Sequence, residues 1–257
     1  MLLAIDVGNT NTSLGLFDGE RLAAHWRVAT RIDRTGDEVG AQLSQMFALQ
    51  GLRLDAVTGC VIASVVPGLN PALIDAGSRY LRREPVMVGP GVRTGVRILY
   101  ENAKEVGADR IANARAAHTH HGGPALVIDF GTAITYDAID AAGDYLGGAI
   151  AAGVQISLEA LVAHTARLQR VEPVAPPAVI GRTTVSAIQS GLIWGFVSQV
   201  EGMVARMVAE LGGHARVVAT GGQAGLIASL TDVIDVVDPL LTLEGLRLIH
   251  THNAEAR

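Results

Sequence analysis

One short motif occurs twice in the chain, each time at the end of an apolar stretch. Residues 5–12 read Ile-Asp-Val-Gly-Asn-Thr-Asn-Thr, and residues 128–135 read Ile-Asp-Phe-Gly-Thr-Ala-Ile-Thr. Both copies fit the pattern I-D-x-G-x-x-x-T, and each follows a run of residues typical of a buried strand. Two copies in one chain predict two related domains that face one nucleotide.

The turn after each of these strands has the composition of an anion-binding loop. Glycine lacks a Cβ and small polar residues tolerate unusual backbone angles, so backbone N–H groups can approach a phosphate closely. A single Asp-x-Gly turn is common in ordinary loops. A third Gly-rich turn, Thr220-Gly221-Gly222, follows another predicted strand and leads into a predicted helix. Together the three turns favour phosphate binding over coincidence.

Composition and charge exclude several classes of function. The 257 residues suffice for two domains of ordinary size. The net charge of −5, without a cluster of lysine or arginine, argues against nucleic acid as a partner. The N-terminal apolar run ends at Asp6, too early for a signal peptide, and no run approaches the ~20 apolar residues of a membrane span. We therefore expect a cytoplasmic protein that binds neither nucleic acid nor membrane.

Periodicity and capping residues predict an α/β fold. Thr35 is predicted to cap a helix over residues 36–50, and Asn70 a helix that ends near residue 83. Further helices are predicted over residues 105–118, 158–168 and 184–211, the last with a break near Gly191–Gly195 or Gly202. A final helix is predicted near residues 243–250, followed by a frayed tail from residue 252.

The Gly122-Gly123-Pro124 segment is the best predicted domain boundary. It divides the chain into an N-terminal domain, residues 1–121, and a C-terminal domain, residues 122–257. Glycine and proline in succession interrupt both helices and strands, which makes such a segment a natural connection.

Three histidines, at positions 118, 120 and 121, precede this boundary. Their spacing distributes them around a helix end, and no cysteine or carboxylate completes a tetrahedral metal site. We predict an exposed helix terminus, where a cation complements the helix dipole.

An ordered set of motifs resembles the type III pantothenate kinase family, within the acetate and sugar kinase/Hsp70/actin superfamily. The motifs are D-x-G-N-T, Y-E-N, G-A-D-R, D-F-G-T-A-x-T, Y-L-G-G-A-I, I-G-R-T-T-x-x-A-x-x-S-G and T-G-G. Each is weak alone, but the ordered set is specific and covers essentially the whole chain. Two departures are Gln169, where members often have proline, and Arg182-Thr183, which replaces a frequent Lys-Asn.

The resemblance implies two ribonuclease-H-like domains with mixed sheets, the actin-like ATPase fold. It implies ATP-dependent phosphorylation of pantothenate to 4'-phosphopantothenate, the first step of coenzyme A biosynthesis. The residues implied to bind ATP are Asp6, Val7, Gly8, Asn9, Thr10, Asn11, Thr12, Ser13, Thr132, Gly221 and Gly222. Those implied to bind pantothenate are Tyr100, Gly107, Ala108, Asp109, Arg110 and Thr184.

The resemblance also implies cofactors and a partner. Asp6 would orient Mg²⁺ through water, and Asp129 would hold a monovalent cation, K⁺ or NH₄⁺. Thr184 would reach the pantothenate site of the other subunit of a homodimer. The helical pattern over residues 184–211 is apolar on more sides than a surface helix needs. By itself this pattern fits the core helix of a monomer as well as a dimer surface, and the resemblance favours the dimer.

The chemistry of the reaction suggests roles for two neighbouring residues. A primary alcohol must lose a proton as the γ-phosphoryl group arrives, and Asp109 is the candidate acceptor. Arg110 could bind an anionic or carbonyl oxygen through its fork of donors. The chain has no G-x-x-x-x-G-K-[ST] loop, which excludes a P-loop kinase.

Two other functions fit parts of the pattern. A non-catalytic nucleotide-binding regulator of the same family is one, but such a protein could dispense with Asp6 and Asp109, and both are present. Another kinase or phosphatase of the superfamily would have similar phosphate loops. The G-A-D-R and Y-E-N segments distinguish this chain from that alternative.

Overall fold

The computed structural model describes residues 1–165 and 168–254. The chain divides into two compact units. Unit 1 contains Met1–Ala116 together with the chain from Leu240 onward, and unit 2 contains Ala117–Pro239. None of the helices in the described ranges is both long and apolar enough to cross a membrane.

Unit 1 is built on a mixed sheet of five strands. The strands are β1 (Leu2–Val7), β2 (Asn11–Asp18), β3 (Arg21–Ala29), β4 (Gly59–Ser64) and β5 (Val86–Met87), in the order β3-β2-β1-β4-β5. The first three form an antiparallel meander, whereas β4 runs parallel to β1 and β5 parallel to β4.

Unit 2 repeats this arrangement. Its strands are β6 (Ala125–Phe130), β7 (Ala133–Ile139), β8 (Tyr145–Ala152), β9 (Arg216–Gly221) and β10 (Val236–Val237), in the order β10-β9-β6-β7-β8. Again three strands form a meander, β9 runs parallel to β6, and β10 runs parallel to β9. The predicted α/β class with two mixed sheets is confirmed, and each copy of the repeated motif connects the first two strands of its sheet.

Seven α-helices surround the sheets within the described ranges. They are α1 (Gly36–Leu49), α2 (Asn70–Ala76), α3 (Ala108–His121), α4 (Val154–Ala163), α5 (Thr184–Glu210), α6 (Ala224–Ala228) and α7 (Leu241–Ala254). The predicted cap of α1 is confirmed. The Thr35 hydroxyl accepts the Glu38 N–H at 3.3 Å, and the Glu38 carboxylate accepts the Thr35 N–H at 2.8 Å, which is a reciprocal capping box.

The prediction that Asn70 caps α2 is wrong. Asn70 already has helical angles, φ −55° and ψ −44°, because the 3₁₀ turn Pro67–Leu69 leads directly into the helix and makes Leu69 the cap. Beyond Ala76 the helix widens into a π-helical turn, Gly77–Leu81.

The long helix α5 is continuous, so neither of the suggested breaks occurs. A glycine inside a helix costs about 1 kcal/mol relative to alanine. Burial of residues such as Ile193 and Val200 in the core of unit 2 offsets that cost. The helix predicted over residues 158–168 is observed as α4, which begins four residues earlier and ends at Ala163. The prediction of a frayed tail from residue 252 is wrong for residues 252–254, which belong to α7. Residues 166–167 and 255–257 lie outside the described ranges.

The last helix packs in unit 1. Its apolar side, including Leu243 and Leu246, is buried, and α7 contacts β1, β4 and β2. A Cβ on Gly245 would collide with the carbonyl oxygen of Ala112 in α3, so the two helices approach very closely. The compact units therefore differ from a division at residues 121/122. The apolar face of α7 matches the sheet of unit 1, although the helix follows unit 2 in sequence.

Candidate active site

The first copy of the motif forms the hairpin turn between β1 and β2. Its last strand pair is Val7 with Thr12, and the Gly8 N–H donates to the Asn11 carbonyl at 3.0 Å. Asp6 is half-buried and lies between the buried residues Ile5 and Val7 of β1. This turn places a carboxylate and several exposed small polar residues at the carboxyl end of β1, as expected for a phosphate loop.

The second copy forms a tighter turn between β6 and β7. Its last strand pair is Phe130 with Ile134, and the Gly131 N–H donates to the Ala133 carbonyl at 3.0 Å. Thr132 lies at the tip and is half-buried. Its carbonyl accepts the N–H of Gly153, the residue that follows β8, at 3.0 Å. This hydrogen bond thus connects the loop to the end of β8, the outer strand of the meander.

Asp129 lies directly against the third Gly-rich turn. Strand β9 is the parallel neighbour of β6, and Phe130 pairs with Gly221. Gly221 has φ +90°, and a Cβ there would come within 2.5 Å of Asp129 Oδ1 and 2.7 Å of the Phe130 backbone nitrogen. Only glycine combines this backbone angle with so close an approach. The structure therefore brings Asp129, the Thr132 loop and Gly221 to one edge of the unit 2 sheet.

Asp109 is held at the start of α3 by a close contact with Gly107. Gly107 lies just before α3, which begins three residues later than the predicted start at residue 105. The Gly107 carbonyl accepts the Ile111 N–H at 3.2 Å. A Cβ on Gly107 would collide with Asp109 Oδ1. This contact explains the glycine at a position where a helix former would otherwise be expected.

The environment of Asp109 favours its protonated form. Burial raises the pKa of this carboxyl, against the opposing effects of the Arg110 N–H, which donates to Oδ1 at 2.9 Å, and of the Arg110 charge. Arg110 itself is buried, with 8% of its surface exposed. A carboxylate with a raised pKa is a better proton acceptor than an ordinary surface aspartate.

Tyr100 lies on the irregular segment before α3. It is 38% exposed, and the 3₁₀ turn Ala103–Glu105 separates it from the helix. Asn102 caps that turn by accepting the Lys104 N–H at 3.3 Å and donating to the Glu105 carboxylate at 2.7 Å. The Y-E-N segment therefore combines an exposed ring with a residue that fixes the local backbone.

Thr184 is the first residue of α5 and borders a cavity of about 870 Å³ in unit 2. Apolar side chains of α4 and α5, such as Leu161 and Leu192, form much of its wall. None of the other predicted site residues lines this cavity.

Thr183 stands where the resembled family often has asparagine, and it caps the start of α5. The Thr183 hydroxyl accepts the Ser186 N–H at 3.1 Å, and the Ser186 hydroxyl accepts the Thr183 N–H at 3.0 Å. Threonine and asparagine are both good helix caps, so Thr183 can replace asparagine at the start of α5.

A buried polar cluster on strands β7 and β8 was not predicted from the sequence. Asp137 is completely buried in β7 and accepts hydrogen bonds from the hydroxyls of Tyr145, at 2.8 Å, and Thr135, at 3.0 Å. The available signal was an acidic residue inside the apolar strand Ala133–Ile139. Buried carboxylates are rare unless they are hydrogen-bonded.

The histidines at the end of α3 do not form a metal site. His121 Nε2 lies 3.2 Å from Asp238 Oδ2, whereas His118 Nε2 lies 3.3 Å from the Ala141 carbonyl. Among the described residues, no group of three or more histidine, cysteine, aspartate or glutamate side chains could hold a metal ion. The helix ends at Gly122, which has φ +80°.

The two mixed sheets have the same topology, and each has a carboxylate and a glycine turn at the end of its first strand. This arrangement defines an actin-like ATPase or sugar kinase fold. Solved structures share it. A Campylobacter jejuni protein described as a Baf family transcriptional activator matches with a TM-score of 0.62 and 20% identity, over 98% of this chain and 99% of that one. A Sinorhizobium meliloti protein assigned as a 2-dehydro-3-deoxygalactonokinase matches with a TM-score of 0.59 and 13% identity, over 100% and 99%.

Sequence comparison identifies the family. The family model described as type III pantothenate kinase matches residues 2–206. The type III pantothenate kinase of Moorella thermoacetica is 54% identical over 253 residues, covering 98% of this chain and 100% of that protein. The chain belongs to the type III pantothenate kinase family.

Proposed function

We propose that this protein transfers the γ-phosphoryl group of ATP to the primary hydroxyl of pantothenate, which produces 4'-phosphopantothenate and ADP in the first step of coenzyme A synthesis. The observation that carries the proposal is Asp109. It is a half-buried carboxylate with a raised pKa, held against Gly107 in the family's G-A-D-R segment. A base for an alcohol acceptor needs this combination of burial and fixed position.

Asp109 accepts the hydroxyl proton of pantothenate as the oxygen bonds to the γ-phosphorus and the bond from that phosphorus to the β,γ-bridging oxygen of ATP breaks. A general base of this kind contributes about 10²- to 10⁴-fold to the rate. Positioning and charge neutralisation contribute the rest, because the transition state of phosphoryl transfer is loose. Arg110, Tyr100 and residues 107–108 bind the acceptor in this proposal.

The ATP phosphates are bound by residues 6–13 and by Thr132, with Gly221 and Gly222 near the adenosine. ATP-dependent kinases require a divalent cation, and the donor set of the first loop suits Mg²⁺. Asp6 offers a carboxylate and its neighbours offer hydroxyl and carbonyl oxygens, the hard ligands that Mg²⁺ prefers. When bound, Mg²⁺ neutralises charge on the phosphates.

Asp129 is proposed to hold K⁺ or NH₄⁺. Its Oδ1 lies against the Gly221 turn, where backbone atoms approach without an intervening side chain. A carboxylate beside backbone groups is a suitable oxygen environment for a large monovalent cation. Such a cation would offset the negative charge that a bound nucleotide brings close to Asp129.

The active unit is proposed to be a cytoplasmic homodimer in which Thr184 completes the partner's pantothenate site. Support comes from the cavity beside Thr184 and from apolar residues near the start of α5 that remain exposed. Ile180 is 83% exposed and Val179 63%. A two-fold symmetric contact would bury such a surface on both subunits at once.

The acceptor can be tested by measuring ADP release with pantothenate, with a panel of sugars and with acetate. We expect turnover with pantothenate alone. Turnover with a sugar or acetate, and none with pantothenate, would favour another kinase of the superfamily. ATP binding without any turnover would favour a non-catalytic regulator.

The shared site can be tested by complementation. Replacement of Thr184 by tryptophan should raise KM for pantothenate more than KM for ATP. Mixing Thr184→Trp with Asp109→Asn subunits, after exchange has been verified, should recover activity, because some heterodimers contain one intact site. A fully active monomer in sedimentation at the assay concentration would contradict the proposal.

A further inference from the structure

Thr30, the residue that follows β3, is bonded twice to the backbone of the first phosphate loop. Its N–H donates to the Thr10 carbonyl at 2.9 Å, and its hydroxyl donates to the Gly8 carbonyl at 2.7 Å. Thr30 lies outside the D-x-G-N-T motif and 22 residues from Gly8. It reaches the loop only because β3 is paired with β2.

The direction of a third hydrogen bond follows from proton counting. Thr30 Oγ1 lies 2.9 Å from Thr12 Oγ1. A hydroxyl has one proton, and that of Thr30 is donated to Gly8. Thr12 must therefore be the donor to Thr30. The result is a chain of hydrogen bonds from Thr12 through Thr30 to the Gly8 carbonyl.

Strand register explains why Thr12 makes this bond. Asp6 pairs with Ser13, whereas Thr12 pairs with Val7. Successive side chains of a strand point to opposite faces, so Thr12 is on the face opposite to Asp6. Thr12 is also 92% buried, since only 8% of its surface is exposed. Its side chain therefore lies on the buried face of the hairpin.

We infer that Thr12 and Thr30 are positioning residues, which fix the backbone of residues 8–10 for the nucleotide without contacting it through their hydroxyls. The inference rests on the proposed function and deepens it. Within residues 6–13 it distinguishes Thr12, which supports the loop backbone, from the residues that face the nucleotide. Thr30 is added to the machinery of nucleotide binding.

The hydrogen bonds of Thr30 could instead stabilise the sheet alone, without positioning the loop. Thr58 offers a matched control for this alternative. The Thr58 hydroxyl bonds to the Met1 carbonyl at 3.2 Å and accepts from the terminal amino group at 3.3 Å. It therefore ties β4 to the opposite end of β1, far along the strand from the phosphate loop. Both threonines have hydroxyl bonds to the backbone of the same sheet, but only Thr30 touches the loop.

Thr30→Val keeps the side-chain shape and removes the hydroxyl, whereas Thr30→Ser keeps the hydroxyl. We expect Thr30→Val to raise KM for ATP by about 3- to 30-fold, the worth of one or two hydrogen bonds. KM for pantothenate should not change. Thr30→Ser should restore the wild-type KM for ATP. Thr58→Val should lower the melting temperature without changing either KM.

The experiment measures both KM values, the melting temperature, and ATP affinity by calorimetry in the absence of pantothenate. An unchanged KM and Kd for ATP in Thr30→Val, or the same changes in Thr58→Val, would overturn the inference. If Thr30→Val does not fold, Thr12→Val removes the first donor of the chain and is measured in the same way. If the wild type binds ATP but does not phosphorylate pantothenate, the proposed function fails, and the calorimetric comparison still tests the positioning role.

Discussion

Thr12 and Thr135 occupy the same place in the repeated motif, but the two hairpins use them differently. Thr135 pairs with Asp129, so both side chains are on one face of their hairpin. Thr12 pairs with Val7 and lies on the face opposite to Asp6. The difference arises because four residues connect the last strand pair in the first hairpin and three in the second. A shift of one residue moves a side chain to the other face.

The supports of the two loops differ accordingly. In unit 1 the residue after the third strand, Thr30, holds its loop through a hydroxyl as well as its N–H. In unit 2 the corresponding residue, Gly153, uses its N–H alone. A Cβ there would collide with the Thr132 carbonyl and lie 2.6 Å from that of Gly131. Sequence repeats can therefore share a topology while their loops are supported by different chemistry.

Removal of the proposed base in unit 1, Asp109, is expected to have the largest effect. Asp109→Asn should lower kcat by about 10²- to 10⁴-fold, because the amide cannot accept the hydroxyl proton. ATP affinity, measured by calorimetry, should be close to that of the wild type. A kcat near the wild-type value would reject Asp109 as the base.

Gly153→Ala tests whether the unit 2 loop depends on the absence of a side chain. The added Cβ must push the Thr132 loop away, so we expect a loss of about 1–3 kcal/mol in the free energy of unfolding and a higher KM for ATP. Gly225→Ala in α6 is the control, since nothing lies within 4 Å of its Cβ position. The control should be neutral or stabilise by up to about 1 kcal/mol. Equal behaviour of the two variants would show that the close approach at Gly153 is unimportant.

The charge at the second loop can be tested with salts. Activity should be higher in K⁺ or NH₄⁺ than in Na⁺ alone by about tenfold, or about 1.4 kcal/mol, which is close to the ~1 kcal/mol of two unit charges 4 Å apart in water. Asp129→Asn should remove most of that difference, whereas the unit 1 variant Thr30→Val should retain it. Equal wild-type rates in all three salts would refute a cation at Asp129.

The smallest expected effect is on stability. The folded-state pKa of Asp109 is raised above its usual 3.8. The protonated Asp109 carboxyl therefore contributes its full stability at a pH below its pKa in the unfolded chain. That contribution is lost as the pH rises through its pKa in the folded protein. At pH 7, Asp109→Asn should thus be at least as stable as the wild type, because the amide does not bring a charge into the buried position. Thermal unfolding at pH 4 and pH 7 measures this, and the gain should be absent at the lower pH.

Local signals predicted much of the fold. The Thr35 capping box, the continuous apolar runs of β1 and β6, and the repeated motif need only neighbouring residues for their interpretation. The cap at Asn70 could not be placed, because the 3₁₀ turn before it competes with an ordinary helix start. Gly107 already indicated a close contact, and the structure identifies its partner as Asp109.

The supports of the loops could not be found from sequence. Thr30 and Gly153 follow edge strands and meet residues about 20 positions away only after the meander has formed. Their positions carry no motif, since one is an ordinary threonine and the other an ordinary glycine. The difference in register between the hairpins was equally hidden, because both copies of the motif have the same spacing.

The position of α7 has a consequence for synthesis on the ribosome. The helix that covers part of β1 and β4 of unit 1 follows unit 2 in the sequence, so it is translated after unit 2. A nascent chain can therefore complete unit 2 while the apolar surface of the unit 1 sheet still awaits its cover. A chain that terminates before α7 cannot bury that surface, and such a product exposes apolar residues that cellular proteases can recognise.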